Sequence, residues 1–145
     1  MSGSSNPKSV LFVCNLNQIR SPMAEYLTRV VCGTSIYTQS AGVYKGEEDG
    51  FMQAVMKERG IDVSNHEPET LDDLEDHFVD LVITLTDMSK EQAAEFFKDE
   101  AVEIEHWSIG NPSIAAGRRE EVLAAYRNTR DELEERIRER FGAKK

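Results

Sequence analysis

One stretch near the start constrains this chain more than any other. It runs Val10-Leu11-Phe12-Val13-Cys14, then Asn15-Leu16-Asn17-Gln18-Ile19-Arg20, then Ser21-Pro22-Met23-Ala24-Glu25. The four apolar residues Val10–Val13, bounded by polar ones, read as a strand buried on both faces, as in a parallel sheet. Serine is a good helix N-cap, and proline suits the first helical position because its missing N–H would be unpaired there anyway. The spacing therefore predicts a strand that ends at Cys14 and a helix that begins at Ser21, with a short bridge between them.

That bridge has an electrostatic consequence. Its amides, from Asn15 through Ile19, can turn inward as a nest of N–H donors. The helix start adds its own orphan N–H groups and the positive end of its dipole. Cys14 sits on the rim, where the helix start and Arg20 favour the thiolate. Arg20 is a planar fork suited to two oxygens of one phosphate. A thiolate inside an oxyanion cradle is equipped for covalent phosphoryl transfer. The plainer reading of Cys14 is a small core hydrophobe. The position at a strand end, in the first βα turn and directly before Ser-Pro-Met-Ala-Glu, favours the cradle.

The rest of the chain alternates strands and helices. Strands are expected at 9–13, 36–39, 79–85 and 102–107, and helices at 22–31, 47–59, 70–77, 87–98 and 118–141. Met23, Tyr26, Leu27 and Val30 share one face of the first helix. Asp87 is the expected cap of the fourth helix. Such alternation implies a doubly wound parallel sheet with all strand C-termini on one edge, where ligands bind. Ser40-Ala41-Gly42 would let the backbone pass close to the Cys14 loop, with the Ser40 hydroxyl in reach of it. Residues 1–7 read as a flexible leader and 8–145 as one domain.

Composition narrows the function. A net charge of −10, from 27 acids against 17 bases, argues against nucleic-acid or membrane-surface binding, which needs a basic face. Two cysteines give no disulfide framework and no CxxC metal pair, which suits a reducing cytoplasm. The Asp72-Asp73-Glu75-Asp76 run reads as a solvated face rather than a metal site. His66 and His77 read as surface residues. No metal or cofactor is expected.

Val13-Cys14-x5-Arg20-Ser21-Pro22-Met23-Ala24-Glu25 resembles the phosphate loop of the low-molecular-weight protein tyrosine phosphatases, a family that includes the thioredoxin-coupled arsenate reductases. Gln39-Ser40-Ala41-Gly42, Gly60-Ile61-Asp62, Asp80–Leu85, His106-Trp107, Asn111-Pro112 and Arg130-Asp131-Glu132-Leu133 extend the likeness over nearly the whole chain after residue 8. The resemblance implies an α/β, three-layer, doubly wound sheet of four parallel strands flanked by helices. It implies Cys14 as nucleophile, Arg20 and the loop residues Asn15, Leu16, Asn17, Gln18 and Ile19 as the phosphate cradle, and Ser21 as support for the thiolate. In the family an asparagine at the Asn17 position braces the loop, and an aromatic residue in the region of Tyr44 walls the cleft. Ser40 and Tyr44 join the expected substrate-binding set.

Two departures matter. Leu16 and Ile19 stand where the family has a glycine and a second cysteine, and Leu16 is awkward if the backbone there needs a positive φ. Asn111 stands where the family has the aspartate that protonates the leaving group and then activates water. General acid–base help is typically worth about 10²–10⁴-fold, so its loss favours aryl phosphates, whose leaving group has a pKa of about 10 for tyrosine. Asp87, Glu105 and His106 are the substitutes to consider. The implied activity is hydrolysis of phosphate monoesters, phosphotyrosine or another aryl phosphate, through a cysteinyl-phosphate. The implied partners are a phosphorylated protein or small aryl phosphate, with inorganic phosphate or other oxyanions as inhibitors. Two other readings stay open. One is an arsenate reductase using an external thiol, since no cysteine follows the third strand. The other is a phosphate- or phosphoprotein-binding module that kept the cradle and lost the acid.

Overall fold

A computed structural model describes residues 6–74 and 78–142. Its centre is β1 (Ser9–Cys14), whose residues Val10 to Val13 are all fully buried. An apolar run can be buried throughout only with neighbours on both edges and layers on both faces, and β1 has all four. β2 (Tyr37–Gly42) lies on one edge and β3 (Leu81–Thr84) on the other, with β4 (Glu103–His106) beyond β3. The order is β2-β1-β3-β4 and every pairing is parallel. The registers Cys14↔Gly42, Val13↔Thr84 and Thr84↔His106 bring the C-terminal ends of all four strands to one edge.

Alternation along β1 separates two cores. Val10, Phe12 and Cys14 face α1 (Arg20–Cys32), α2 (Gly50–Lys57) and α4 (Arg119–Phe141), packing with Met23, Leu27, Met52, Val55, Leu133 and Ile137. Leu11 and Val13 face the opposite layer with Ala41, Val82 and, from α3 (Asp87–Phe96) and its end, Ala93 and Phe97. This is the three-layer, four-stranded parallel architecture expected from the sequence.

Local chemistry moved several boundaries. Helix α1 starts at Arg20 with Ile19 as its N-cap, not at Ser21, because the Ser21 hydroxyl is engaged elsewhere. Val30, expected inward, is exposed. Asp49 caps α2 by accepting from Met52 N at 2.9 Å, so residues 47–49 stay outside the helix. Thr86, not Asp87, caps α3, in a reciprocal box with Ser89. The helix expected over 70–77 is a single 3-10 turn, Leu71–Asp73, beyond which Leu74 is extended; residues 75–77 lie outside the described residues. So does most of the expected leader, although Asn6 donates from Nδ2 to Phe141 O at 2.9 Å.

Candidate active site

The segment between β1 and α1 is held by its carbonyls. Cys14 O accepts from Val43 N at 3.1 Å, Asn15 O from Tyr44 N at 2.8 Å and Leu16 O from Gly46 N at 2.9 Å. Asn17 O lies 3.1 Å from His66 Nε2. In a trans peptide the C=O of one residue and the N–H of the next point opposite ways, and the described chain has no cis bond. Four consecutive carbonyls tied outward therefore aim the amides of Asn15, Leu16, Asn17 and Gln18 the other way. Among the described residues those amides have no protein acceptor, which makes them a nest of free donors at a helix start. The strap that ties the loop needs glycine twice. A Cβ at Gly42 would lie 2.7 Å from Asn17 N, and one at Gly46 2.8 Å from the Leu16 Cβ.

Behind the loop stands a closed set of polar side chains. The positive φ, 54°, falls at Asn17 and not at Leu16, and asparagine tolerates that region far better than leucine. The strain expected at Leu16 is therefore absent. Asn17 is fully buried. Its Oδ1 accepts from Glu69 N at 2.9 Å, and its Nδ2 donates to Ser21 Oγ at 2.8 Å and Ser40 Oγ at 2.9 Å. Since a backbone N–H can only donate, the amide orientation is fixed. Ser21 Oγ accepts from Asn17 Nδ2, lies 3.0 Å from Cys14 Sγ and has its own hydrogen within reach of that sulfur and of Ala41 O at 3.4 Å. Ser40 in turn donates to Glu25 Oε1 at 2.6 Å. Burial raises the pKa of Glu25, against the opposing pull of Ser40 and Arg29.

Arg20 is 9 % exposed and donates from Nη1 to Ile109 O at 2.8 Å. Nε and Nη2 have no acceptor among the described residues, so half of the fork is tethered and half is available. Burial lowers the pKa of Arg20, while the charge of Cys14 holds it up. Cys14, Asn15, Leu16, Gln18, Ile19, Arg20, Tyr44, Met88, Asn111 and Ser113 line one cleft of about 190 Å³. The expected site residues thus fall into two groups. Those ten positions include Cys14, Arg20, Asn111 and Tyr44. The side chains of Asn17, Ser21 and Ser40 lie behind the loop rather than in the cleft, so they shape the cradle and do not reach a ligand.

No carboxylate or imidazole lines this cleft among the described residues. None of the substitutes considered for the missing acid lines the cleft, and Glu105 and His106 are engaged elsewhere. Glu105 accepts from Trp107 Nε1 and Arg140 Nε. His106 pairs through Nδ1 with Thr84 Oγ1 at 2.8 Å, and its Nε2 lies 3.7 Å from Asp87. Sequence reading missed Glu25, Glu69 and His66 as parts of the loop's support. Only Glu25 carried a signal, through its place on α1 beside the loop. His66, read as a surface residue, is half-buried.

The chain is similar to known proteins over nearly its whole length. Residues 9–144 match the family described as low molecular weight phosphotyrosine protein phosphatase. An arsenate reductase of Bacillus licheniformis is 33 % identical over 131 residues, spanning 90 % of this chain and 93 % of that one. The YwlE arginine phosphatase from Geobacillus stearothermophilus superposes with a TM-score of 0.74 at 28 % identity, covering 94 % of this chain and 91 % of its own. An arsenate reductase in its phosphate-binding state gives a TM-score of 0.76 at 26 % identity, over 91 % of this chain and 95 % of that one.

Proposed function

Since the chain belongs to the low molecular weight phosphotyrosine protein phosphatase family, we propose that it is a cysteine-dependent phosphatase acting on phosphate monoesters, with aryl esters such as phosphotyrosine foremost. The observation that carries this reading is the arrangement around one sulfur. Cys14 Sγ lies 3.0 Å from the Ser21 hydroxyl, beside a row of free loop amides and the untethered half of the Arg20 guanidinium.

In this mechanism the amides and Arg20 hold the phosphoryl oxygens, where charge builds in the transition state. The Cys14 thiolate attacks phosphorus, the S–P bond forms and the P–O bond to the leaving group breaks. Water then attacks the cysteinyl-phosphate, the S–P bond breaks, and inorganic phosphate leaves while the water's proton passes to solvent. Phosphate and similar oxyanions compete for the same cradle. Leu16, Tyr44 and Met88, all partly exposed at the cleft, offer an apolar rim for an aromatic ring.

The names of the relatives favour a second reading, arsenate reduction. A self-contained disulfide relay is disfavoured. The only other cysteine, Cys32, lies at the far end of the 13-residue helix α1, about 20 Å away at 1.5 Å per residue, whereas a disulfide needs Cα atoms within about 7 Å. An external thiol would have to close the cycle. The test is p-nitrophenyl phosphate hydrolysis by wild type, Cys14→Ser and Arg20→Ala. Turnover abolished in Cys14→Ser supports the phosphatase. Thiol-dependent arsenite production without phosphatase turnover supports the reductase. Phosphate binding without either activity, lost in Arg20→Ala, marks a binding module.

A further inference from the structure

We propose that Asn111 is a catalytic hydrogen-bond donor to the departing oxygen, and that the cleft is therefore selective for phosphoryl compounds whose leaving oxygen departs as a stable anion, namely aryl phosphates and acyl phosphates rather than alkyl phosphates. This deepens the phosphatase reading and rests on it.

The orientation of one amide carries the inference. Asn111 caps the 3-10 turn Pro112–Ile114. Its Oδ1 accepts from Ser113 N at 2.9 Å and from Ser113 Oγ at 2.7 Å. A backbone N–H has no lone pair to offer, so the atom facing it must be the oxygen. The Nδ2 group is then the free end of the side chain, with no acceptor among the described residues. Asn111 lines the same cleft as Cys14 and Arg20. It is thus a fixed donor of a hydrogen bond that has no proton to transfer.

The chemistry follows from that difference. As the thiolate bonds to phosphorus, the electron pair of the breaking P–O bond goes to the leaving oxygen. A donor that keeps its hydrogen can stabilise the resulting anion but cannot neutralise it. Among the described residues no carboxylate or imidazole lines the cleft to supply that proton. A carboxylate (leaving-group pKa about 4) or a phenolate (about 10) can depart unprotonated, whereas an alkoxide is far too basic. The rate should therefore fall steeply along that series.

The test uses Asn111→Asp, which keeps an oxygen for Ser113 and so keeps the cap, but replaces the N–H. Wild type, Asn111→Asp, Asn111→Ala and Cys14→Ser are compared on an acyl phosphate, p-nitrophenyl phosphate, phenyl phosphate and an alkyl phosphate, at pH 5 and pH 7.5. At pH 7.5, where the new carboxyl is ionised, Asn111→Asp and Asn111→Ala should both lose about ten- to a hundredfold on the aryl and acyl substrates, the range for a hydrogen bond to a charged group. At pH 5, Asn111→Asp should gain on the phenyl and alkyl substrates and flatten the dependence on leaving group. Two outcomes overturn the inference: both variants within twofold of wild type on every substrate, or a wild type that cleaves alkyl and aryl phosphates equally well. If the wild-type rates survive in Cys14→Ser, the phosphatase reading itself falls. Loss in Cys14→Ser with indifference at position 111 sinks only this inference.

Discussion

Replacing Asn17 by alanine should separate what its backbone does from what its side chain does. The side chain makes three hydrogen bonds in a fully buried position: from Glu69 N, to Ser21 Oγ and to Ser40 Oγ. Each net bond is worth about 1 kcal/mol, and leaving a buried partner unsatisfied raises the cost to about 1–3 kcal/mol. The backbone φ of 54° adds roughly 1 kcal/mol for alanine, which occupies that region poorly. Asn17→Ala should therefore lose about 3–5 kcal/mol, a large share of the 5–15 kcal/mol typical of a domain. Asn17→Gly loses the same bonds but fits the backbone, so it should be about 1 kcal/mol less damaging. Urea midpoints of the three proteins give the comparison, and p-nitrophenyl phosphate turnover gives the effect on the cradle. If both variants stay within about 0.5 kcal/mol of wild type, or if alanine equals glycine, the assignment of strain and hydrogen bonding to this residue is wrong.

Other perturbations follow from the same geometry. Gly42→Ala pushes a Cβ to within 2.6–2.7 Å of backbone at Tyr44, Asn17 and Leu16, so it should shift the loop and cut turnover far more than it lowers the thermal midpoint. Leu133→Ala, in the core behind the site, should cost about 2–5 kcal/mol by urea denaturation and leave KM unchanged at temperatures where it stays folded. Burial raises the pKa of Glu25 above its ordinary value of 4.5. The folded state thus resists ionising it, and wild type should lose stability as pH rises from about 4.5 through the raised value. Glu25→Gln lacks that loss, so the difference in urea midpoint between the two proteins should move in the variant's favour from pH 4.5 to pH 7. Because no carboxylate or imidazole among the described residues lines the cleft to activate water, rapid mixing with p-nitrophenyl phosphate should show a burst of nitrophenolate close to one per chain before the steady state.

The architecture was legible because one run, Val10–Val13, demands burial on every side. The parallel order and the three layers follow from that, and the alternation of elements supplies the rest. The cleft was legible too, since Cys14, Arg20 and the loop between them are contiguous. What escaped was the support, which depends on residues brought together across long separations. Glu69 and His66 reach Asn17 from about fifty positions away, and no local pattern marks them. Leu16 misled because the positive φ falls one residue later, a matter of how the strap 43–46 ties the carbonyls. Ser21 misled as an N-cap because its hydroxyl is engaged with Asn17 Nδ2 and Cys14 Sγ, and Thr86 took the cap expected of Asp87 because Ser89 completes a box with it. The stretch after Thr70 showed helical composition, yet its apolar residues Leu71 and Leu74 are buried around a single 3-10 turn, Leu71–Asp73, with Leu74 already extended.

The central claim is that Cys14 carries the phosphoryl group. Acid quenching during turnover of a phosphorus-labelled aryl phosphate, followed by peptide mapping, tests it directly. The account predicts label on the peptide containing Cys14, approaching one per chain, and none in Cys14→Ala. Phosphate release with no labelled protein, or label that persists in Cys14→Ala, would contradict it.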